Sequence, residues 1–313
     1  MPVLDAYAGL LNNVRPLLNA YVKGVMRSIR PVPTHHLPTE APADLWFRRD
    51  AIRVSEDGLR RYLEITDGID LGGNSGGLLP PVYFTTWFLK PYLDVLSSDA
   101  LALNLLGIVH LENELVVHRP LTRDDALTCR VGLEALERNE RRALITVRCE
   151  NLAGGEVASV SRSLILARLG QSGGGSGSGT RTEAPDPPPR AWTEVRTLRF
   201  GEDLGRRYGL VSGDVNPIHL HWLTSRTFGF KRPIAHGFCL KAMVAHGLVR
   251  SLGGGDIARL RRLNIRFKSA IWLPGRASLQ ADSGGFRVMD PDGNRLYAEG
   301  EYEMADQPQD PTT

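Results

Sequence analysis

The sequence predicts an α+β fold in two copies, each a long helix laid across an antiparallel sheet. Two observations carry this. The order helix-then-strands occurs twice, with matching landmarks roughly 150 residues apart. Between the copies lies QSGGGSGSG, residues 171–179, extended by the Pro-rich run to Arg190, which reads as a flexible linker. A chain of 313 residues is long enough for two such units with sizeable cores.

Residues 4–29 carry apolar side chains at three- and four-residue spacing and form the first predicted helix, kinked or broken at Pro16. It packs on its own domain, or lies on a membrane surface or docks a partner. Its interspersed charges and the lack of a small-residue cleavage site do not suit a signal peptide. Pro31, Pro33 and Pro38 end it, with His35-His36 in the loop. The first sheet unit then spans residues 44–170. Within it Leu59-Arg60-Arg61-Tyr62-Leu63 resembles Leu204-Gly205-Arg206-Arg207-Tyr208 of the second unit, and a Gly-rich stretch follows from 68 to 77. Residues 82–96 are its predicted helix, kinked or broken at Pro91. Strands follow near 115–117, 126–136, 142–150 and 157–167, the last two joined by Ala153-Gly154-Gly155. His110 and His118 fall in or beside strands, where satisfied structural roles are expected.

The second unit, 191–305, opens with Trp192 and a strand over 194–200. An apolar helix is predicted over 238–252, stopped by Gly253-Gly254-Gly255. Leu263, Ile265 and Phe267 then alternate with Arg262, Asn264, Arg266 and Lys268 on a strand. Strands at 277–282, 286–290 and 295–304 complete the sheet, with a hairpin at 291–294.

A net charge of +3 is too small to argue for a nucleic-acid partner, and no stretch reaches the apolar length of a membrane span. Cys129, Cys149 and Cys239 are sparse and odd in number, which suits free thiols in a reducing, cytoplasmic compartment.

Chemistry concentrates between Tyr208 and Gly237. Asp214 and His219 stand five residues apart on a turn stiffened by Pro217, so an acid and an imidazole can converge on one water. A backbone N–H at the start of the next helix, that of Gly237, suits a developing oxyanion. Ser212 and Asn216 are placed to orient the turn, and His236 flanks the oxyanion corner. A plainer account, in which Asp214 and Asn216 only close a turn, leaves the joint pattern unexplained.

The run Ser212-Gly213-Asp214-Val215-Asn216-Pro217-Ile218-His219, with Tyr208 before it and His236-Gly237 after it, resembles the signature of the MaoC-like or hydratase 2 family. These are (R)-specific enoyl-CoA hydratases and 3-hydroxyacyl thioester dehydratases. The resemblance implies a double hotdog, each half a sheet wrapped around its central helix, with the motif kept in only one half. It also implies syn addition of one water held by Asp214 and His219, with no cofactor and no metal. The first half has no histidine between His36 and His110, so it is expected to be catalytically silent. Its irregular helix region is expected to widen the pocket towards medium or long acyl chains.

The substrate implied is an acyl-CoA or acyl carrier protein thioester. Its anionic end would meet Arg226, Lys231, Arg232, Arg266 and Lys268, with Tyr208 lining the site. A homodimer is compatible with this scheme. An acyl thioester hydrolase and a non-catalytic acyl-binding protein are the competing readings, because fold alone does not separate them.

Overall fold

The computed structural model describes residues 40–68, 77–103, 105, 108–169 and 191–306. The helix predicted at 4–29, His35-His36, most of the Gly-rich stretch and the linker at 171–190 lie outside the described residues.

The first half begins with β1 (Trp46–Ile52) and α1 (Glu56–Ile65). Ser55 caps α1 by accepting from the Gly58 N–H, and Glu56 and Asp57 lie at the positive end of the helix dipole. β1 has no counterpart among the predicted strands, because WFRRDAI does not alternate and only Ile52 is buried. The region 82–96 is two pieces, a 3-10 segment (Pro81–Thr86) and α2 (Leu89–Leu96). The break falls at Trp87-Phe88, ahead of Pro91. Pro91 sits in the first turn of α2, where its missing N–H would have had no acceptor within the helix. Most side chains of this region are buried, with Phe84 and Phe88 edge-on to Phe238. β2 (Ile108–Val117), β3 (Leu127–Arg138), β4 (Arg142–Ala153) and β5 (Glu156–Arg168) follow.

The second half repeats the order with β6 (Thr193–Phe200), α3 (Leu204–Ser212), the short α4 (Pro217–Leu220) and α5 (Trp222–Thr227), and the central helix α6 (Gly237–Leu252). β7 (Leu260–Phe267), β8 (Gly275–Ala281), β9 (Gly285–Met289) and β10 (Leu296–Met304) complete it.

All ten strands form one sheet, in the order β1-β3-β4-β5-β2-β7-β10-β9-β8-β6. Read outwards from the middle, the two halves have the same strand order. They meet where β2 pairs antiparallel with β7, from Glu112↔Arg266 to Val116↔Arg262. Leu115, Leu263 and Ile265 turn inward at this seam and are fully buried in a core that both halves share. On the other face, Glu114 pairs with Arg262 at 2.8 Å and Arg266 with Glu301 at 2.6 Å.

Polar contacts also join the halves. Lys241 of α6 is completely buried, and its Nζ donates to the Asn113 carbonyl at 2.9 Å and to Asn113 Oδ1. Tyr208 and Thr85 share a hydroxyl–hydroxyl bond of 3.1 Å. Asp67, which has a left-handed backbone (φ 57°), accepts from Arg196 Nε at 2.6 Å, and its carbonyl accepts from Arg250 at 2.9 Å.

The Asp67–Arg196 pair is partly exposed, so its contribution is limited by solvent screening. Asn also tolerates the left-handed conformation. Asp67→Asn is therefore expected to lower stability by no more than about 1 kcal/mol. Chemical denaturation checks this; a larger loss would show that the pair between the halves is a main support of their docking.

Candidate active site

The turn between α3 and α4 is held by its own polar groups. Gly213 ends α3 with a left-handed φ of 79°, and its N–H reaches the Gly209 carbonyl at 2.9 Å. Ser212 Oγ donates to the Tyr208 carbonyl at 2.8 Å and accepts from the Asp214 N–H at 3.1 Å. Asp214 Oδ1 accepts from the Asn216 N–H at 3.2 Å, and Asn216 Oδ1 caps α4 through the Ile218 N–H at 3.3 Å. Pro217 is the first residue of α4, where no N–H is needed. Asp214 thus closes the turn through Oδ1, while Oδ2 lies 4.0 Å from His236 Nε2.

The turn lies directly on α3 because two glycines on one helical face leave room for it. A Cβ at Gly205 would stand 1.8 Å from the His219 carbonyl oxygen, and one at Gly209 would stand 2.8 Å from that of Asp214.

His219 and His236 are both buried. His219 Nδ1 lies 2.8 Å from the Ile234 carbonyl. A carbonyl only accepts, so Nδ1 carries the proton and Nε2 keeps its lone pair. By the same argument His236 Nε2 donates to the Asp214 carbonyl at 2.9 Å. The two rings stack, with centroids 3.7 Å apart. Burial, reinforced by His236 and opposed by Asp214 and the Ile234 carbonyl, lowers the His219 pKa to about 3. His219 is therefore a neutral base at neutral pH. Gly237 opens α6, and its N–H has no protein acceptor among the described residues. The Phe267 ring covers it, with Cζ 3.1 Å from where a Cβ would stand.

Asp214, His219 and His236 each bring one metal-ligand type of atom within 4.8 Å of the others, a grouping that the sequence spacing did not predict. His236 Nε2 is committed to the Asp214 carbonyl, so only Nδ1 of that ring remains to act as a ligand.

The remaining predicted residues divide sharply. Arg226, Lys231 and Arg232 are exposed on and just after α5 and make no ion pair among the described residues. Arg226 lies over the Trp222 ring and Arg232 over that of Trp272. Arg266 and Lys268 instead pair with Glu301 and Glu299, so their charge is already compensated. Tyr208 is buried; its hydroxyl meets Thr85 and its ring lies 5.0 Å from that of His236, so it supports the site from behind. His221 caps α5 and His246 Nδ1 meets the Thr66 carbonyl at 3.0 Å. His110 departs from the satisfied structural role expected of it, because its buried Nε2 has no partner. Lys241 was not predicted either, although a lysine within FCLKAMVAHG interrupts the apolar run that marks a buried helix.

The first half shows why only one copy can hold this site. Aligning Arg60-Arg61-Tyr62 with Arg206-Arg207-Tyr208 places Thr66 opposite Ser212, and both hydroxyls donate back to the tyrosine carbonyl, at 2.7 and 2.8 Å. It places Asp67 opposite Gly213, both left-handed. Gly68 then stands where Asp214 does, and a Cβ there would meet His246 Nδ1 at 2.4 Å. Leu59 and Leu63 stand where Gly205 and Gly209 allow the turn to approach. The carboxylate is missing and its space is filled.

Two halves of like topology fused at β2 and β7, with an acid–imidazole turn against one central helix, define a double-hotdog protein. The MaoC like domain matches residues 181–294. Mycobacterium tuberculosis 3-hydroxyacyl-thioester dehydratase Y is 30% identical over 220 residues, covering 63% of this chain and 75% of that one. Dehydratase X of the same organism is 30% identical over 179 residues, covering 57% of this chain and only 61% of that relative's length. The crystal structure of Mycobacterium tuberculosis HtdX superposes with a TM-score of 0.65 at 22% identity, over 83% of this chain and 100% of that one. The chain belongs to the MaoC-like dehydratase family.

Two predictions follow from the packing and burial of the turn. Gly205→Ala forces the His219 backbone away from α3 and is expected to lower kcat by at least about tenfold, since small misplacements of catalytic groups are costly. Steady-state kinetics on a variant with near-parent melting checks this; unchanged kcat would show that the turn tolerates displacement. The second concerns pH. His219 and His110 have folded pKa values near 3 and 4, below the ordinary 6.5, and that of His236 is also lowered by burial. Their stabilising contribution is complete above about pH 6.5 and is lost as pH falls towards 3–4, by up to about 1.4 kcal/mol per pH unit for each ring. Melting at pH 7.5 and 5 should show the drop, and His219→Gln should reduce it.

Proposed function

We propose that the chain adds water reversibly to trans-2-enoyl thioesters to give (R)-3-hydroxyacyl thioesters, and removes it in the reverse direction. The observation that carries this is His219, whose tautomer is fixed by the Ile234 carbonyl so that Nε2 is a base beside the Asp214 turn. Family membership supports the same activity and its stereochemistry.

The reaction puts OH on Cβ and H on Cα while negative charge gathers on the thioester oxygen. Asp214 and His219 Nε2 hold the water between them; as its OH adds to Cβ the pair takes up one proton from it and returns that proton to Cα, so both groups end as they began. The Gly237 N–H receives the oxyanion, and a preorganised donor of this kind contributes about 3–4 kcal/mol to the transition state. Ser212, Asn216 and Pro217 keep the carboxylate in place. His236 fixes the turn through the Asp214 carbonyl and supports His219 by stacking.

Arg226, Lys231 and Arg232 supply exposed positive charge for the anionic end of a CoA or carrier-protein thioester. No described helix is long and apolar enough to cross a membrane. The sparse, odd set of cysteines, Cys129, Cys149 and Cys239, fits a reducing compartment such as the cytoplasm.

Asp214→Asn and His219→Gln are each expected to lower turnover of crotonyl-CoA at least about a hundredfold while the protein remains folded. Chiral product analysis and a free-thiol assay accompany the kinetics. Near-normal hydration by either folded variant overturns the site, and release of free thiol by the parent points to a hydrolase instead.

A further inference from the structure

Strand β2 carries a histidine that the reaction scheme leaves unused. Asn113, Leu115 and Val117 of β2 are buried, while Glu112 and Glu114 join the charged outer face. Strict alternation would put His110 on that outer face as well. The register with β5 instead shifts between His110 and Glu112, and the extra residue, Leu111, turns His110 towards the helix side. Bulges of this kind commonly re-aim a side chain at a functional site. The ring lies 5.0 Å from that of Phe238 and 5.1 Å from that of Phe267. Phe238 is the residue after Gly237, and Phe267 is the ring that covers Gly237. His110 therefore stands beside the oxyanion corner, although it comes from the other half.

Its protonation is set by its surroundings. The Glu112 carbonyl accepts from the ring. Nε2 is sealed from solvent and has no partner among the described residues, so the proton resides on Nδ1 and Nε2 presents a lone pair. Burial, reinforced by the positive field of Lys241 and opposed by Asp214, lowers its pKa to about 4. The Lys241–Asn113 bonds hold this part of β2 against α6.

A buried acceptor without a donor is costly, which makes it a place for a ligand's N–H or O–H. If the chain is the hydratase proposed above, the bound thioester has two donors near its carbonyl. Asp214 and His219 engage the 3-hydroxyl. The other donor is the amide N–H of the pantetheine arm, two carbons beyond the sulfur. We propose that His110 Nε2 accepts a hydrogen bond from that amide, so that the first half contributes a substrate-binding residue. The amide belongs to the arm common to CoA and carrier proteins, so this contact recognises the arm irrespective of what it is attached to.

The test compares two crotonyl thioesters, that of N-acetylcysteamine and that of 5-mercapto-2-pentanone, in which a methylene replaces the amide nitrogen. The parent protein should show about tenfold higher kcat/KM for the amide, the effect of one hydrogen bond, mainly through KM. His110→Phe should lose that preference and match the parent on the methylene analogue, while His110→Gln, which keeps an acceptor, should restore part of it. Equal kcat/KM of the parent for both thioesters overturns the inference, even if no His110 variant folds. An equal loss on both substrates in a folded His110→Phe protein also overturns it. Hydration of both thioesters with no amide preference leaves the hydratase reading intact; hydration of neither removes that reading and this inference with it.

Discussion

The antiparallel pairing of β2 with β7 is the contact on which the rest of the molecule depends. It joins two five-stranded units into one sheet and turns Leu115, Leu263 and Ile265 into a common core. A sheet edge left open at that point would expose unpaired N–H and C=O groups and the apolar face beneath them. Each half covers the other's edge. α6 is buried on every side from Cys239 to Val249, and it can carry a lysine inward because Asn113 of the opposite half receives it.

That fusion gives the proposed active site walls from both copies. The second half provides the acid, the base and the helix start. The first provides Thr85 behind Tyr208, the aromatic side chains against Phe238, and His110 beside Gly237. The halves share topology but have diverged at a few atoms. Gly205 and Gly209 let a polar turn press against a helix, and the leucines opposite them in the first copy fill that space. Gly68 stands where a carboxylate would be, with His246 against it. A duplicated fold can thus lose one reaction centre through small changes in side-chain volume while its sheet, which rests on backbone pairing, persists.

Much of this was legible in the order of residues. The two copies, the central helix with its triple-glycine stop and most strands follow from periodicity and turn chemistry, which are local properties of the chain. The motif turn was legible for the same reason, since Ser212, Asp214 and Asn216 each accept a backbone N–H two residues on and Pro217 opens the helix that follows. β1 was not, because an exposed edge strand needs no apolar alternation. The position of the break in 82–96 was not either, because proline is harmless in a helix's first turn and the break depends on how the aromatic residues pack.

The sequence by itself determined which groups could do chemistry and how the polypeptide is punctuated, since those depend on residue type and short spacing. Only the tertiary structure decided which of those groups share one environment. Arg266 and Lys268 looked like substrate contacts and are taken up by Glu301 and Glu299 across strands. His219 and His236 stack although seventeen residues separate them. His110 looked structural and faces the Gly237 corner, because a one-residue bulge reverses the side of the sheet on which it emerges. Strand side, ion-pair partners and burial depend on register and on distant segments, and no local pattern of residue types encodes them.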